Sequence, residues 1–482
     1  MIIIISLITS IFDLFEKLLR FTFEFLEASY SAIPKRNEGY NAQFASPGAI
    51  LSRRETGFCL TGNRNQSKKL SFQNTIAIGG TGSGKSSVIL LPSLYTMKDS
   101  FIVHDPSGEL FNKSSGYLLS QGYDVKVLNF ANPKVSVFYN PLSRANTNSE
   151  IQKVASMLVF AGQGGKATDP FWNTQAVALL TLLITILKTQ EEEFQNLYNV
   201  RHLLNEMGGN PKSIDLLFSK YADPVTFSEY KSFISYDEKI VSGVVASCKA
   251  SLQTFADLSI AQVTSKDTLD MQEFRSKKVA LFIQNSIADQ RYYSTLTSIL
   301  FEQFFSYLLS RFPSKNEQDI FLLIDEASSL NLPTLPLAVA NCRKHNAGIL
   351  ILLQDYNQLI HNYGKYNADA IRANCTTKMF FTGLSHELTK ELESTLGKFT
   401  YEDEKKNKAI RPLLTNDEIR TMKSNQALII SGNHNPMIAK LRPYYKNSLY
   451  RKYSEMPPMQ NANEHLSESI PLLTLPEIKN AA

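Results

Sequence analysis

A chain of 482 residues is longer than one ordinary core requires, so two domains, or one large α/β domain with a sizeable insertion, are expected. With 43% apolar and 20% charged residues, the composition is that of a globular protein and excludes a disordered one. A net charge of +5 permits nucleic acid as a partner without arguing for it. The four cysteines (Cys59, Cys248, Cys342 and Cys375) form no CxxC pair that would point to zinc or a disulfide framework, and such isolated thiols fit a reducing compartment inside a cell.

The chain opens on Met1 to Phe12, which is almost wholly apolar. Asp13, Glu16, Lys17, Arg20, Glu24 and Glu27 then recur at near-helical spacing opposite Phe12, Phe15, Leu18, Leu19, Phe23 and Leu26. The unbroken apolar stretch falls short of the ~20 residues that a spanning helix needs. No basic leader or cleavage site marks a signal peptide. Residues 1–35 therefore read as an amphipathic helix on a membrane or membrane partner, or as a soluble helix packed on the body; the isoleucines favour the membrane. A polar connection follows Pro34, and a short hairpin is expected from residues 58–61 and 70–78.

Thr75 to Ile78 is an apolar run leading into Gly79-Gly80-Thr81-Gly82-Ser83-Gly84-Lys85-Ser86, with Ser87 and a second apolar run, Val88 to Leu91, beyond it. This is the strand, loop, helix order of a phosphate-binding P-loop. Glycines let backbone N–H groups turn inward around phosphate oxygens, and the helix start offers its positive dipole end. Lys85 can reach the β- and γ-phosphates, and Ser86 can give a hydroxyl to Mg2+.

Strand-like runs follow at residues 100–105, 125–130, 278–284, 320–324, 348–353, 378–381 and 427–430, with helical patterns such as 292–309 between them. Near-continuous apolar strands imply a parallel sheet buried on both faces, in a doubly wound α/β fold. Residues 146–275 break the alternation with helical segments at 150–160, 171–189, 200–207, 214–221 and 240–255. They are expected to form an all-α domain inserted between a first part (36–145) and a second part (276–453) of the nucleotide-binding domain. The tail 454–482 has prolines and no long periodic segment, and is expected to be extended or loosely docked.

The run Ile320 to Ile324 ends in Asp325-Glu326, and a P-loop enzyme needs acids at such a strand end beside the P-loop strand. Asp325 suits Mg2+, and Glu326 can polarise the attacking water. Gln354, after the next strand, can sense the γ-phosphate or orient that water. Arg343, or the competing Arg372, could act in trans on the transition state. Asp105, at the end of the strand after the P-loop helix, can touch the Mg2+ shell or cap the next helix. His104 reads as a structural histidine and Trp172 as a hydrophobic anchor.

Taken in order, several pieces resemble the coupling proteins of bacterial conjugation and type IV secretion, the TraG/TraD-like group. They are the P-loop, Asp105-Pro106-Ser107-Gly108-Glu109-Leu110, Tyr139-Asn140-Pro141-Leu142, Pro170-Phe171-Trp172, Leu322-Leu323-Ile324-Asp325-Glu326-Ala327, Gln354-Asp355-Tyr356-Asn357-Gln358-Leu359, Ala373-Asn374-Cys375 and Arg411 to Ile419. The resemblance implies a RecA-like motor domain with an all-α insertion similar to the part thought to select cargo. It implies a hexameric ring at the cytoplasmic face of the inner membrane, ATP and Mg2+, and delivery of relaxase-bound single-stranded DNA to a secretion channel. Lys85 and Ser86 match the family's Walker A pair, Asp325 and Glu326 its Walker B pair, Gln354 a motif glutamine and Arg343 a basic residue proposed as a finger. Two features depart from the family: Ser107 stands where a lysine is common, and residues 1–26 replace clear spanning helices. Alternative readings are an FtsK-like double-strand DNA translocase, whose usual C-terminal winged helix the tail is too short to hold, a purely cytoplasmic protein, and a docking receptor that binds ATP without turning it over.

Overall fold

The computed structural model describes residues 40–162, 170–285, 289–402, 407–460 and 469–477. The amphipathic helix expected over residues 1–35 lies outside them. The strands in chain order are β1 (Thr75–Ile78), β2 (Ser100–His104), β3 (Asp124–Asn129), β4 (Val279–Gln284), β5 (Ile320–Ile324), β6 (Ala347–Leu353), β7 (Thr377–Phe380), β8 (Lys398–Glu402), β9 (Lys408–Pro412), β10 (Gln426–Ser431) and β11 (Met437–Lys440). Nine of them form one sheet in the order β11-β10-β7-β1-β6-β5-β2-β4-β3. The strands from β7 to β3 are parallel, as their continuous apolar character requires, and β10 and β11 close one edge antiparallel.

β1, β2, β5 and β6 are buried along their whole length. Helices cover them: Ser86–Thr96 and Glu109–Ser120 follow β1 and β2, Gln290–Ser310 precedes β5, and Tyr356–Asn374 follows β6. Phe321 of β5 stacks on Phe72 at 5.6 Å and meets Phe58 edge-on at 5.4 Å. β6 lies between β1 and β5, so the acids after β5 are not beside the P-loop strand as expected but two strand spacings away, about 10 Å.

The chain forms two compact units. Residues 44–392 and 416–482 contain the sheet and all the helices between β3 and β4. The described residues of 40–43 and 393–415 form the second unit, in which β8 and β9 pair antiparallel and Asn41 bridges to Phe399.

The hairpin expected before β1 does not form. Ser67 caps a short helix, Lys68–Ser71, and accepts from Leu70 N at 3.2 Å, which takes residues 68–71 out of any strand. Phe58 and Leu60 instead close a tight loop, bonding Gln66 N and the Arg64 carbonyl.

Between β3 and β4 the described residues carry helices and no strand. The longest are Asn148–Gly162, Pro170–Lys188, Leu197–Gly209, Pro211–Tyr221, Pro224–Ile234 and Glu238–Ser251. Three begin with proline at the first helical position, where the missing N–H costs nothing. Pro224–Ile234 is absent from the sequence reading, although Asp223-Pro224 is a start signal: Asp223 accepts from Val225 N and Thr226 N at 2.9 and 3.1 Å. Among the described residues Pro170–Lys188 is the one helix long and apolar enough to cross a membrane, but more than half of it is buried inside the fold, as in a core helix.

The lone tryptophan, Trp172, opens that helix and lies against Gly243, where a Cβ would come within 2.7 Å of the indole. Gly243→Val is expected to displace the ring, red-shift tryptophan emission and cost roughly 1–3 kcal/mol in urea unfolding. Unshifted emission with unchanged stability would remove this contact from the packing of the helical segment.

Candidate functional site

Parallel pairing places the carboxyl ends of β1, β6, β5 and β2 side by side on one edge. Each of these ends carries a sequence-selected residue: the P-loop, Gln354, Asp325-Glu326 and Asp105. Ligands of open α/β sheets bind outside this edge.

The P-loop leaves β1 with Gly79 N bonded to Leu353 O and Gly80 N bonded to Thr382 O, at 3.2 and 3.0 Å. Gly82 and Gly84 take φ of +75° and +90°, which a side chain would strain, and this curls the loop back to the helix start. The helix begins as a wide turn over Ser86–Leu90 in which Leu91 N bonds Ser86 O. Pro92, one residue further, has no N–H for Val88 O and its ring crowds that carbonyl, so the preceding turn widens.

Lys85 folds over the loop, and its Nζ donates to Gly79 O and, at 3.3 Å, to Gly80 O. Burial holds its pKa below the usual lysine value, against the pull of Asp325 and Glu326. Ser86 Oγ donates to Asp325 Oδ2 at 3.3 Å. Ser87 Oγ returns to Gly84 O at 3.0 Å, and Ser83 Oγ is buried with no partner.

Glu326 has φ of +54°, a left-handed conformation uncommon outside glycine and asparagine. This turn separates it from Asp325. Asp325 stays half-buried beside Ser86, and its carboxyl is pushed up to about 6, chiefly by desolvation. Glu326 faces Gln354, whose Nε2 donates to Oε2 at 2.7 Å. Gln354 Oε1 accepts from Thr81 Oγ1 at 3.2 Å, so one glutamine bridges the P-loop to the second acid.

Two participants were not singled out as site residues. Ser328 donates its hydroxyl to Glu326 Oε1, and the Ser328 carbonyl is held by Asn362 Nδ2 at 2.6 Å. Buried His104 donates from Nδ1 to the Asp325 carbonyl at 2.6 Å. Burial lowers its pKa to about 4, so the ring is neutral near pH 7 and fixes the strand end from below. The serine was legible as a polar residue two positions after Glu326; nothing in the sequence ties His104 to Asp325.

Asp105 takes the capping alternative in this structure. Its Oδ2 accepts from Phe111 N at 2.8 Å and its Oδ1 from Leu110 N at 3.2 Å, closing the start of Glu109–Ser120. Burial pushes this carboxyl up to about 6.

Arg343 is not brought to this cluster. It is exposed on the short helix Cys342–His345 before β6, and the seven residues of β6 put about 23 Å between that edge and Gln354. Beneath it, buried Arg275 donates to His345 O and Gln318 O at 2.6 and 2.8 Å. Arg372 is committed elsewhere: its guanidinium lies 4.2 Å from the Tyr356 ring and pairs with Glu391 at 2.9 Å.

A lysine ammonium, an unpartnered buried hydroxyl, and the paired oxygens of Ser86 and Asp325 fit a nucleoside triphosphate with Mg2+. A family model described as Type IV secretory system Conjugative DNA transfer matches residues 46–471. The chain belongs to that family. Among relatives of this chain, VirD4 of Agrobacterium fabrum is 20% identical over 406 residues, covering 79% of this chain and 60% of the relative. TraG of Escherichia coli is 21% identical over 355 residues, covering 68% of this chain and 55% of the relative. The chain thus spans 60% or less of the length of these two relatives.

Solved structures share its fold. The bacterial conjugative coupling protein TrwBdeltaN70, in a trigonal form with sulphate, aligns with TM-score 0.66 at 17% identity, covering 88% of this chain and 95% of that one. The plasmid coupling protein TrwB in complex with ADP and Mg2+ aligns with TM-score 0.62 at 18% identity, covering 89% and 97%.

The capping role of Asp105 is testable. Asp105→Ala is expected to lower stability by about 1–2 kcal/mol in urea unfolding, and Asp105→Asn by less, because the amide oxygen still accepts. An Asp105→Asn chain of unchanged stability that loses magnesium-dependent nucleotide binding would place the acid in the metal shell instead.

Proposed function

We propose that this coupling protein hydrolyses ATP to drive relaxase-bound single-stranded DNA into a type IV secretion channel. The observation that carries the reading is the hydrogen-bonded line from Thr81 through Gln354 to Glu326, with Ser86 and Asp325 paired beside it. Its fold neighbour TrwB is known in complex with ADP and Mg2+ and with an ATP analogue, which supports nucleotide as the ligand.

In this reading Lys85 leaves the Gly79 and Gly80 carbonyls and meets the β- and γ-phosphates, while the loop amides and Ser83 surround them. Ser86 and Asp325 hold Mg2+, which supplies positive charge to the phosphate oxygens when bound. Glu326 takes a proton from the attacking water, and Gln354 holds that carboxylate at a fixed distance from the P-loop.

Arg343, exposed at the opposite edge, acts in trans: in a hexameric ring it serves the neighbour's site. Residues 146–275 form the inserted all-α domain, and residues 1–35 bring the ring to the cytoplasmic face of the inner membrane. DNA is held mainly by phosphate contacts, so its effect on turnover falls steeply with salt.

Lys85→Ala is expected to abolish phosphate release. Glu326→Gln is expected to keep nucleotide binding while turnover falls about 100-fold or more, the scale of a lost general base. Single-stranded DNA is expected to stimulate the unaltered chain at low salt. Near-normal turnover in Lys85→Ala removes the mechanism, and absence of turnover under every condition favours a docking receptor.

A mixing experiment tests the arginine. Arg343→Ala chains and Glu326→Gln chains, each inactive alone, should regain phosphate release together, because an intact Arg343 from one chain completes an intact Glu326 site on the next. No recovery at any mixing ratio would sink the trans assignment.

A further inference from the structure

Both oxygens of the Glu326 carboxylate are engaged, and both lines of contact lead to one helix. Oε2 accepts from Gln354 Nε2 at 2.7 Å, and Gln354 stands immediately before the cap of Tyr356–Asn374. Oε1 accepts from the Ser328 hydroxyl, and the Ser328 carbonyl accepts from Asn362 Nδ2 at 2.6 Å. Asn362 lies about two turns along the same helix. A carboxylate held at one oxygen can still rotate about its last side-chain bond, whose torsion is soft; held at both, its plane is fixed.

The helix between these two contacts is short and secured at each end. A reciprocal cap fixes its start: Asp355 Oδ1 accepts from Asn357 N at 2.8 Å, and Gln358 Oε1 accepts from Asp355 N at 3.3 Å. Its first stretch stops at Gly364, where φ of +72° and ψ of 160° suit glycine alone. In a straight helix Tyr356 and Asp369 would stand about 20 Å apart. Tyr356 Oη instead donates to Asp369 Oδ1 at 2.5 Å, and the Arg372 guanidinium lies 4.2 Å from the Tyr356 ring. The chain therefore doubles back at Gly364, and the second stretch braces the first residue of the first. At the far end, Tyr363 Oη accepts from Leu332 N at 3.1 Å, and Asn362 Nδ2 also meets the Leu330 carbonyl at 3.4 Å. Two adjacent side chains thus tie the loop after Glu326 to the end of the stretch 356–363.

We propose that residues 356–363 are a rod that sets the direction of Glu326 toward the attacking water, and that Ser328 and Asn362 are positioning residues for hydrolysis. This rests on the reading of Glu326 as the base. Gln354 and Ser328 act on different oxygens but are steadied by opposite ends of one helix, so a shift of the helix turns the carboxylate as a unit. Misalignment at the base slows the step at water and leaves the P-loop, Ser86 and Asp325 free to hold nucleotide.

The test measures phosphate release and the affinity for a non-hydrolysable ATP analogue on full-length chains. Ser328→Ala is expected to lower kcat about ten-fold, the scale of one hydrogen bond to a charged group, with affinity changed less than about two-fold. Ser328→Thr keeps the hydroxyl and is expected to restore most of the rate. Asn362→Leu, close in size and lacking the donor, is expected to lower kcat in the same way. Combined with Ser328→Ala it should cost little more than Ser328→Ala alone, because both act through one contact. In a Glu326→Gln chain, Ser328→Ala is expected to cost about two-fold or less, since no base remains to be aimed. Undiminished kcat in Ser328→Ala, affinity falling in step with kcat, or the same fold loss with and without the Glu326 carboxylate overturns the proposal. The underlying reading fails separately: normal turnover in Glu326→Gln removes Glu326 as the base, whereas an inactive Glu326→Gln chain beside a fully active Ser328→Ala chain removes only the positioning.

Discussion

The carboxyl edge of four adjacent parallel strands governs this molecule. Because β1, β6, β5 and β2 run the same way, residues 273 positions apart in sequence emerge within a few strand spacings of one another. Gln354 sits between the P-loop and Glu326 because β6 sits between β1 and β5. Had β5 paired directly with β1, no bridging glutamine would be needed or possible. The helices and the buried aromatic cluster around Phe321 serve to keep these strands in register.

That edge also explains why the two acids behave differently. Asp325 remains in line with its strand, under Ser86 and over His104, where desolvation raises its pKa. Glu326 turns through a left-handed conformation and leaves the strand axis for the Gln354 and Ser328 side chains. Two neighbouring carboxyl groups thus acquire separate surroundings from a single backbone torsion. Burial does similar work on the cysteines, which are all buried, with their thiols pushed up to about 12 and so kept unreactive.

Much of the fold was legible because its signals are local. Buried parallel strands such as β5 and β6 read as unbroken apolar runs, and the P-loop is contiguous. Elements defined by their partners were harder to see. β11 is four residues that exist as a strand because β10 lies beside them, and β8 and β9 carry mixed, half-exposed residues with no clean alternation. The hairpin before β1 was expected on apolar content, but the Ser67 cap was the stronger signal. At the site, Lys85, Ser86, Asp325, Glu326 and Gln354 were found as residue types at strand ends, and the structure brings them together. Arg343 had no such support: it lies exposed at the far end of β6, about 23 Å from Gln354. The bond from His104 to Asp325 depends on the pairing of β2 with β5, which no local pattern announces.

The wide turn at Ser86–Leu90 has a consequence for aim. A turn holding one residue more than an α-helical turn offsets everything before it by about 100° of helical phase relative to everything after it. The buried face of Ser86–Thr96, with Ile89, Leu90 and Leu94, is locked to the sheet, so the offset is delivered wholly to the first residues. Lys85 and Ser86 therefore point where they do through a mismatch of phase set by Pro92, a residue of the helix rather than of the loop or the acids. The direction of Lys85 is, in effect, written about two turns downstream of it.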